Sequence, residues 1–274
     1  PDKTKQLKIA DPKNYWLHLS LGACVENICI AAQSVGYKTN VAFSKEMIRI
    51  NFTKDSKISK DTERLVTMKR RSSNKSLYDQ VAFGEKTNKK LKILSKQYQA
   101  NYFQREPNNE LVVIHKNASL KTAKNINFVK ELTEWIRSNI TSKGDGMPGF
   151  VNGFSIVESL VGPLILNKKP QLFIKSSQKD VDLFDSASGY LVFGIEEETF
   201  EEYFKCGRNV QAMWLDLTDL NISLHPMNAI VSVKEEVAKL KMYIGDHSQI
   251  AFLARIGYSS RKAKHTPRLE NVWK

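Results

Sequence analysis

Apolar residues recur at three- and four-residue steps through Leu21, Val25, Ile28, Ala32 and Val35, so residues 16–36 are expected to form one long helix. Asp11-Pro12 mark the approach to it, and Gly36 is the kind of residue at which such a helix stops. A strand is expected over 47–52, where Ile48 and Ile50 alternate with Arg49 and Asn51. The polar stretch 53–62 reads as a loop and 62–70 as a short helix. The basic stretch 80–101 reads as helical in its second half. The compact apolar run 111–115 reads as a buried strand. Ile126 to Ile140 is amphipathic, with Phe128, Leu132, Trp135 and Ile136 on one face. Glycines 144, 146 and 149 with Pro148 then force irregular backbone, either a plain surface connection or a functional loop.

Further strands are expected at 172–175, 190–194 and 250–258. A long helical region with an acidic start is expected over 196–220, a loop after His225-Pro226, and a helix over 234–242. Few strands lead through a crossover helix to a parallel partner. The pattern therefore favours an α+β fold with an antiparallel-rich mixed sheet flanked by helices over a doubly wound one.

Length and composition change this picture little. A chain of 274 residues, 41% hydrophobic and 26% charged, suits one large domain or two small ones. No apolar run reaches the roughly 20 residues that span a bilayer; the longest, 151–166, is interrupted by Gly153, Glu158, Gly162 and Pro163. Cys24, Cys29 and Cys206 form no metal-ligand or disulfide pattern, and Cys24 and Cys29 read as small buried hydrophobes in a reducing, cytoplasmic setting. The net charge of +13 is scattered along the chain, which favours a solvated basic surface over a nucleic-acid groove.

Two segments resemble each other. Leu21-Gly22-Ala23-Cys24-Val25-Glu26 and Cys206-Gly207-Arg208-Asn209-Val210-Gln211 share a glycine, a valine and a Glu/Gln position, at an offset of 207 − 22 = 185 positions. Either the chain carries a domain-sized repeat, or two amphipathic helices happen to be alike. If the repeat holds, residues 1–60 are the tail of a first unit whose remainder is expected upstream of Pro1. Residues 61–274 are then a complete second unit, and the helices at 16–36 and 203–220 are expected to pack together about a two-fold axis.

The most informative short segment is Arg71-Ser72-Ser73-Asn74-Lys75. In extended backbone Arg71, Ser73 and Lys75 point one way, and a guanidinium, a hydroxyl and an ammonium together can receive a phosphate or an electron-rich ring edge. The alternative is a solvated basic turn. His18 and His115 fall in regular patterns and read as structural, and His247 as a turn residue. His225 and His265 carry no mark of catalysis, and no side chain is singled out as catalytic or metal-binding.

This segment resembles the Arg-x-Ser/Thr-x-Lys/Arg stretch that opens FMN-dependent nitroreductases, in the Arg-Arg-Thr-Asn-Arg form of their tandem, Acg-like branch, with Ser72 in place of the second arginine. Other stretches agree in order along the chain: Asp11-Pro12 with Gly22-Ala23 and Glu26-Asn27; Glu131-Leu132, Trp135 and Asp145-Gly146-Met147-Pro148; Gly207-Arg208 with Gln211; Arg255-Ile256-Gly257-Tyr258; Thr266-Pro267-Arg268. The resemblance implies a nitroreductase-like α+β fold paired with itself inside one chain, or as a homodimer. It implies FMN as cofactor, held by Arg71 and Arg268 at the phosphate and by Ser73, Asn74 and Lys75 at the ribityl chain and ring. Pro226-Met227-Asn228 falls where the family passes backbone N–H groups near flavin N5. It further implies NAD(P)H as electron donor and a nitro compound, quinone or other small molecule as acceptor. The family's Pro-Ser-x-x-Asn-x-Gln-Pro-Trp loop has no counterpart between Lys75 and Leu111, so at most one flavin per chain is expected. A flavin-holding protein without turnover and a basic interaction module are the competing readings.

Overall fold

The computed structural model describes residues 5–44, 47–58, 60–107, 109–263, 265 and 266. Helix α1 (Tyr15–Ser34) ends where Gly36 turns at φ 86°, as its sequence predicts. Its start is held by Asp11, whose carboxylate accepts the Leu17 N–H at 2.9 Å. Strands β1 (Tyr37–Ser44) and β2 (Met47–Lys54) form an antiparallel hairpin whose inward residues Val41, Phe43, Ile48 and Ile50 pack against Val25, Cys29 and Phe204.

Helices α2 (Glu63–Arg70) and α3 (Glu85–Gln97) follow, then β3 (Ala100–Gln104), α4 (Glu110–Lys124), α5 (Ile126–Trp135) and the two-residue strands β4 (Ile136–Arg137) and β5 (Met147–Pro148). Helices α6 (Ile156–Lys168) and α7 (Ile174–Asp185) lead to β6 (Gly189–Ile195), α8 (Phe200–Asp219), β7 (Ser223–Pro226), α9 (Lys234–Ile244) and β8 (Gln249–Gly257). The central sheet has the order β3-β6-β8-β7, antiparallel at every joint. The fold is therefore α+β with an antiparallel sheet and flanking helices. One core lies between the sheet and α8, through residues such as Met213, Leu217, Leu224 and Ile256. The other lies between the sheet and α4, α7 and α9.

Two predicted strands are helices. The run 111–115 lies inside α4: Asn109 caps it by accepting the Leu111 N–H at 2.9 Å, and Leu111, Ile114, His115 and Ala118 are buried at helical spacing. The run 172–175 spans the end of a short 3-10 turn and the start of α7, behind Pro170. The helix predicted to reach Ile140 stops at Trp135, and its most buried positions are Val129 and Thr133. Cys24, expected to be buried, is exposed, while Cys29 and Cys206 are buried. Strands β1, β3, β4, β5 and β7 lie where no strand was predicted, β3 beginning inside the stretch read as helical up to 101. No helix among the described residues is long and apolar enough to cross a membrane.

The contact between α1 and α8 follows from their matched glycines. A Cβ on Gly22 would overlap the Phe204 carbonyl, and one on Gly207 would overlap the Leu19 carbonyl. The two backbones therefore cross closely enough that no other residue fits either position. Arg208 seals the crossing through the Glu26 carboxylate at 2.8 Å, and Gln211 donates to Asn27 Oδ1 at 2.8 Å.

Candidate functional site

The site begins where α2 ends. Arg64 and Arg70 bind Asp219 of α8, and Arg64 also binds Asp216, so the end of α2 is fixed beside the end of α8. Extended backbone follows. Ser73 forms a parallel bridge with Leu224 of β7, and the Asn74 N–H donates to the Leu224 carbonyl at 3.2 Å. This bridge lays 71–75 beside the strand that leads into Pro226-Met227-Asn228, so two segments far apart in sequence become neighbours.

The individual side chains then divide. Arg71 places its guanidinium 4.4 Å from the ring centroid of Trp214 on α8, in cation–π contact. Asn74 is buried, its amide donating to Ser223 Oγ and the Arg261 carbonyl while its Oδ1 accepts from the N–H and hydroxyl of Ser76. This residue holds the segment together with a filled set of bonds. Lys75 turns towards the irregular loop and donates to Asn152 Oδ1 at 3.0 Å. Burial lowers the Lys75 pKa and raises that of Asp180 on α7, while the attraction between the two charges opposes both shifts.

Met227 is buried, and its N–H donates to the Leu253 carbonyl at 2.9 Å; Asn228 Oδ1 accepts from the Leu253 N–H at 2.8 Å. The turn after β7 is thus tied to β8. Arg268 lies outside the described residues. The neighbouring Arg261, Lys262 and His265 line a groove of about 430 Å³ together with Arg70, Ser72, Ser223 and Ser259. Its wall from the 70–75 segment carries residues 70, 72 and 74, the alternate set to 71, 73 and 75.

Beneath the segment lies a group to which the sequence motifs gave no role of its own. Arg255 of β8 is fully buried, its guanidinium donating to the carbonyls of Ser76 at 2.6 Å and Leu183 at 2.7 Å and to Ser186 Oγ at 2.9 Å. It lies 3.9 Å from the Tyr78 ring centroid, and its Nε donates to His225 Nδ1 at 3.2 Å. That last bond requires an unprotonated Nδ1. Burial, then the Arg255 and Lys75 charges, push the His225 pKa well below its ordinary value, so the ring is neutral. The visible signal was an arginine inside the apolar run Gln249–Gly257. Asn152 and Asp180 carried none.

In chemical terms the arrangement offers a cationic, hydroxyl-lined groove at one end and a half-buried lysine at the other, joined by an extended segment. No protein-family model matches the chain, and no curated protein matches it in sequence. Its overall course is similar to several solved structures. A nitroreductase with bound FMN from Bacteroides fragilis is 12% identical over 77% of this chain and 96% of its own, with a TM-score of 0.45. One from Desulfitobacterium hafniense, also with bound FMN, is 12% identical over 76% and 94%, with a TM-score of 0.47. An FMN-dependent nitroreductase from Mycobacterium smegmatis in complex with NADPH is 13% identical over 76% and 94%, with a TM-score of 0.47.

Proposed function

We propose that the protein binds FMN between the 71–75 segment and the turn at Pro226-Met227-Asn228, and passes electrons from NAD(P)H to a small-molecule acceptor. The observation that carries this reading is the bridge from Ser73 to Leu224, which joins those segments at the rim of a groove lined by Arg70, Arg261 and Lys262. The groove suits a dianionic phosphate and a hydroxylated chain, because guanidinium and ammonium groups bind phosphate through charge-assisted hydrogen bonds. Arg71 and Arg268 complete the phosphate end in this reading. Ser73 and Asn74 order the segment along the ribityl chain, and Lys75 supplies a positive charge at the ring edge. Bound flavin supplies the hydride and electron chemistry; the protein supplies orientation and charge. The Met227 N–H is already bonded to Leu253, so that turn contributes a fixed wall more than a donor at this position. The chain's two units pair within one molecule, and its free cysteines suit a reducing cytoplasm.

Arg71→Ala is expected to weaken FMN binding roughly ten- to hundredfold, because a charge-assisted contact is worth about 1.5–3 kcal/mol. Fluorescence titration of FMN into wild-type and variant protein measures this. Equal affinities would mean that the phosphate lies elsewhere. The second reading, a flavin-holding protein without turnover, is favoured by the bond from Lys75 to Asn152, which closes the ring end with the protein's own side chain. Steady-state oxidation of NAD(P)H by the flavin-loaded protein separates the two.

A further inference from the structure

Another cavity, of about 600 Å³, lies apart from the candidate cofactor site. It shares no residue with the groove at Arg70 and Arg261. It is lined by Gln249 and Ile250, the first residues of β8, whereas that groove lies beyond the last one. The strand between them is about 26 Å long. The volume falls within the range of small-molecule sites, about 300–1,000 Å³. Its outer wall is the segment 9–16, which the protein's own bonds hold in place. The Ile9 and Ala10 N–H groups donate to the Glu131 carboxylate of α5 at 2.9 and 2.8 Å, and Tyr15 stacks on Tyr203 with ring centroids 4.4 Å apart.

The lining divides by chemistry. Trp16 and Phe128 bring flat aromatic surface, and Val231, Val237 and Ile250 bring aliphatic surface. Three lysines and two acids line the rest, and four of these five are engaged. Asp11 holds the start of α1, Lys13 lies 3.5 Å from Glu198, and Lys121 binds Glu235 and Glu236 at 3.4 and 2.9 Å. Lys234, the first residue of α9, has no ion pair among the described residues, and the two acids of its own turn are those that Lys121 takes up. The helix starts without a side-chain cap, so its positive end adds to the Lys234 ammonium. Thr122 also lines the cavity, and its hydroxyl is buried with no hydrogen-bond partner among the described residues. Such a group calls for a partner that the protein itself does not supply.

We propose that this cavity is a binding site for a planar aromatic monocarboxylate. The ring of the ligand lies against Trp16 and Phe128, in the offset or edge-to-face contact that aromatic rings prefer. Its carboxylate meets the Lys234 ammonium in a charge-assisted hydrogen bond, and the Thr122 hydroxyl supplies a second donor. One uncompensated lysine matches one negative charge, which sets this ligand apart from a dianionic phosphate. The aromatic and aliphatic surface requires an apolar body, which sets it apart from an inorganic anion. The site does not depend on flavin binding.

Isothermal titration calorimetry with naphthoate, on the protein alone and with excess FMN, tests this. Saturable binding of one naphthoate per chain is expected, with the same affinity in both conditions. The uncharged naphthamide should bind about three- to fivefold more weakly, and Lys234→Gln should weaken naphthoate by a similar factor, the scale of a solvent-exposed ion pair. Trp16→Ala should weaken it roughly ten- to hundredfold through the lost ring contact. Lys234 is exposed, so its substitution spares the fold, and thermal melting checks this for both variants. No saturable binding, displacement by FMN, equal affinity for the amide, or an affinity unmoved by Lys234→Gln would each overturn the proposal.

Discussion

At the residue scale, Arg255 organises the site, although the sequence marked it only as the first residue of the Arg255-Ile256-Gly257-Tyr258 stretch and gave it no role. It joins the carbonyls of Ser76 and Leu183 to the His225 ring, so the candidate binding segment, β7 and the end of α7 share one buried donor. The bond to His225 has a consequence for pH. Burial depresses the pKa of His225 well below 6.5 and that of His115 to about 3. Both rings stay neutral in the fold, while the unfolded chain takes up protons below about pH 6.5. Their contribution to stability is therefore complete above about pH 6.5 and falls as the pH drops below it, for His115 down to about pH 3, by up to about 1.4 kcal/mol per pH unit for each ring. Denaturant midpoints measured across this range should fall with pH, and His225→Asn should flatten the slope. A profile unchanged by that substitution would mean that His225 is not held neutral. Sequence reading recognised His115 as structural, but it could not see the state of His225, which depends on an arginine thirty positions away.

At the scale of elements, the two longest helices, α1 and α8, were legible because their apolar positions recur at three- and four-residue steps. The sequence also marked the glycines at which α1 and α8 meet, and the expected packing of these helices is observed. What failed were short apolar runs. Leu111 to His115 contains too few residues to distinguish a strand from one side of a helix, and the deciding group is the Asn109 cap just before it. Strand β7 was hidden because Ser223–Pro226 is short and ends in proline, its position being set by the partner β8. The helix crossing gives a direct stability test. Gly22→Ala and Gly207→Ala should each cost about 1–3 kcal/mol through overpacking, whereas Gly84→Ala, with open space around its Cβ, should change stability by no more than about 0.5 kcal/mol. Chemical denaturation measures all three. Gly22 or Gly207 variants as stable as the wild type would show that the helices do not cross at these residues.

At the scale of the whole molecule, the Arg71–Lys75 motif was readable as a cluster of chemistry, but its surroundings were not. The sequence predicted a common face for Arg71, Ser73 and Lys75. In the fold Arg71 lies over Trp214 and Lys75 reaches Asn152, while the groove takes its wall from Arg70, Ser72 and Asn74. Those neighbours come from α8, the loop before α6 and the tail after β8, which no local pattern could bring together. On the proposed function, one binding segment facing one complementary turn predicts at most one cofactor site per chain. Equilibrium titration with FMN, read against protein concentration, tests this most directly. Saturable binding at no more than one FMN per chain, weakened about ten- to hundredfold by Arg71→Ala, is the expected result. No saturable binding, or a ratio near two, would contradict it.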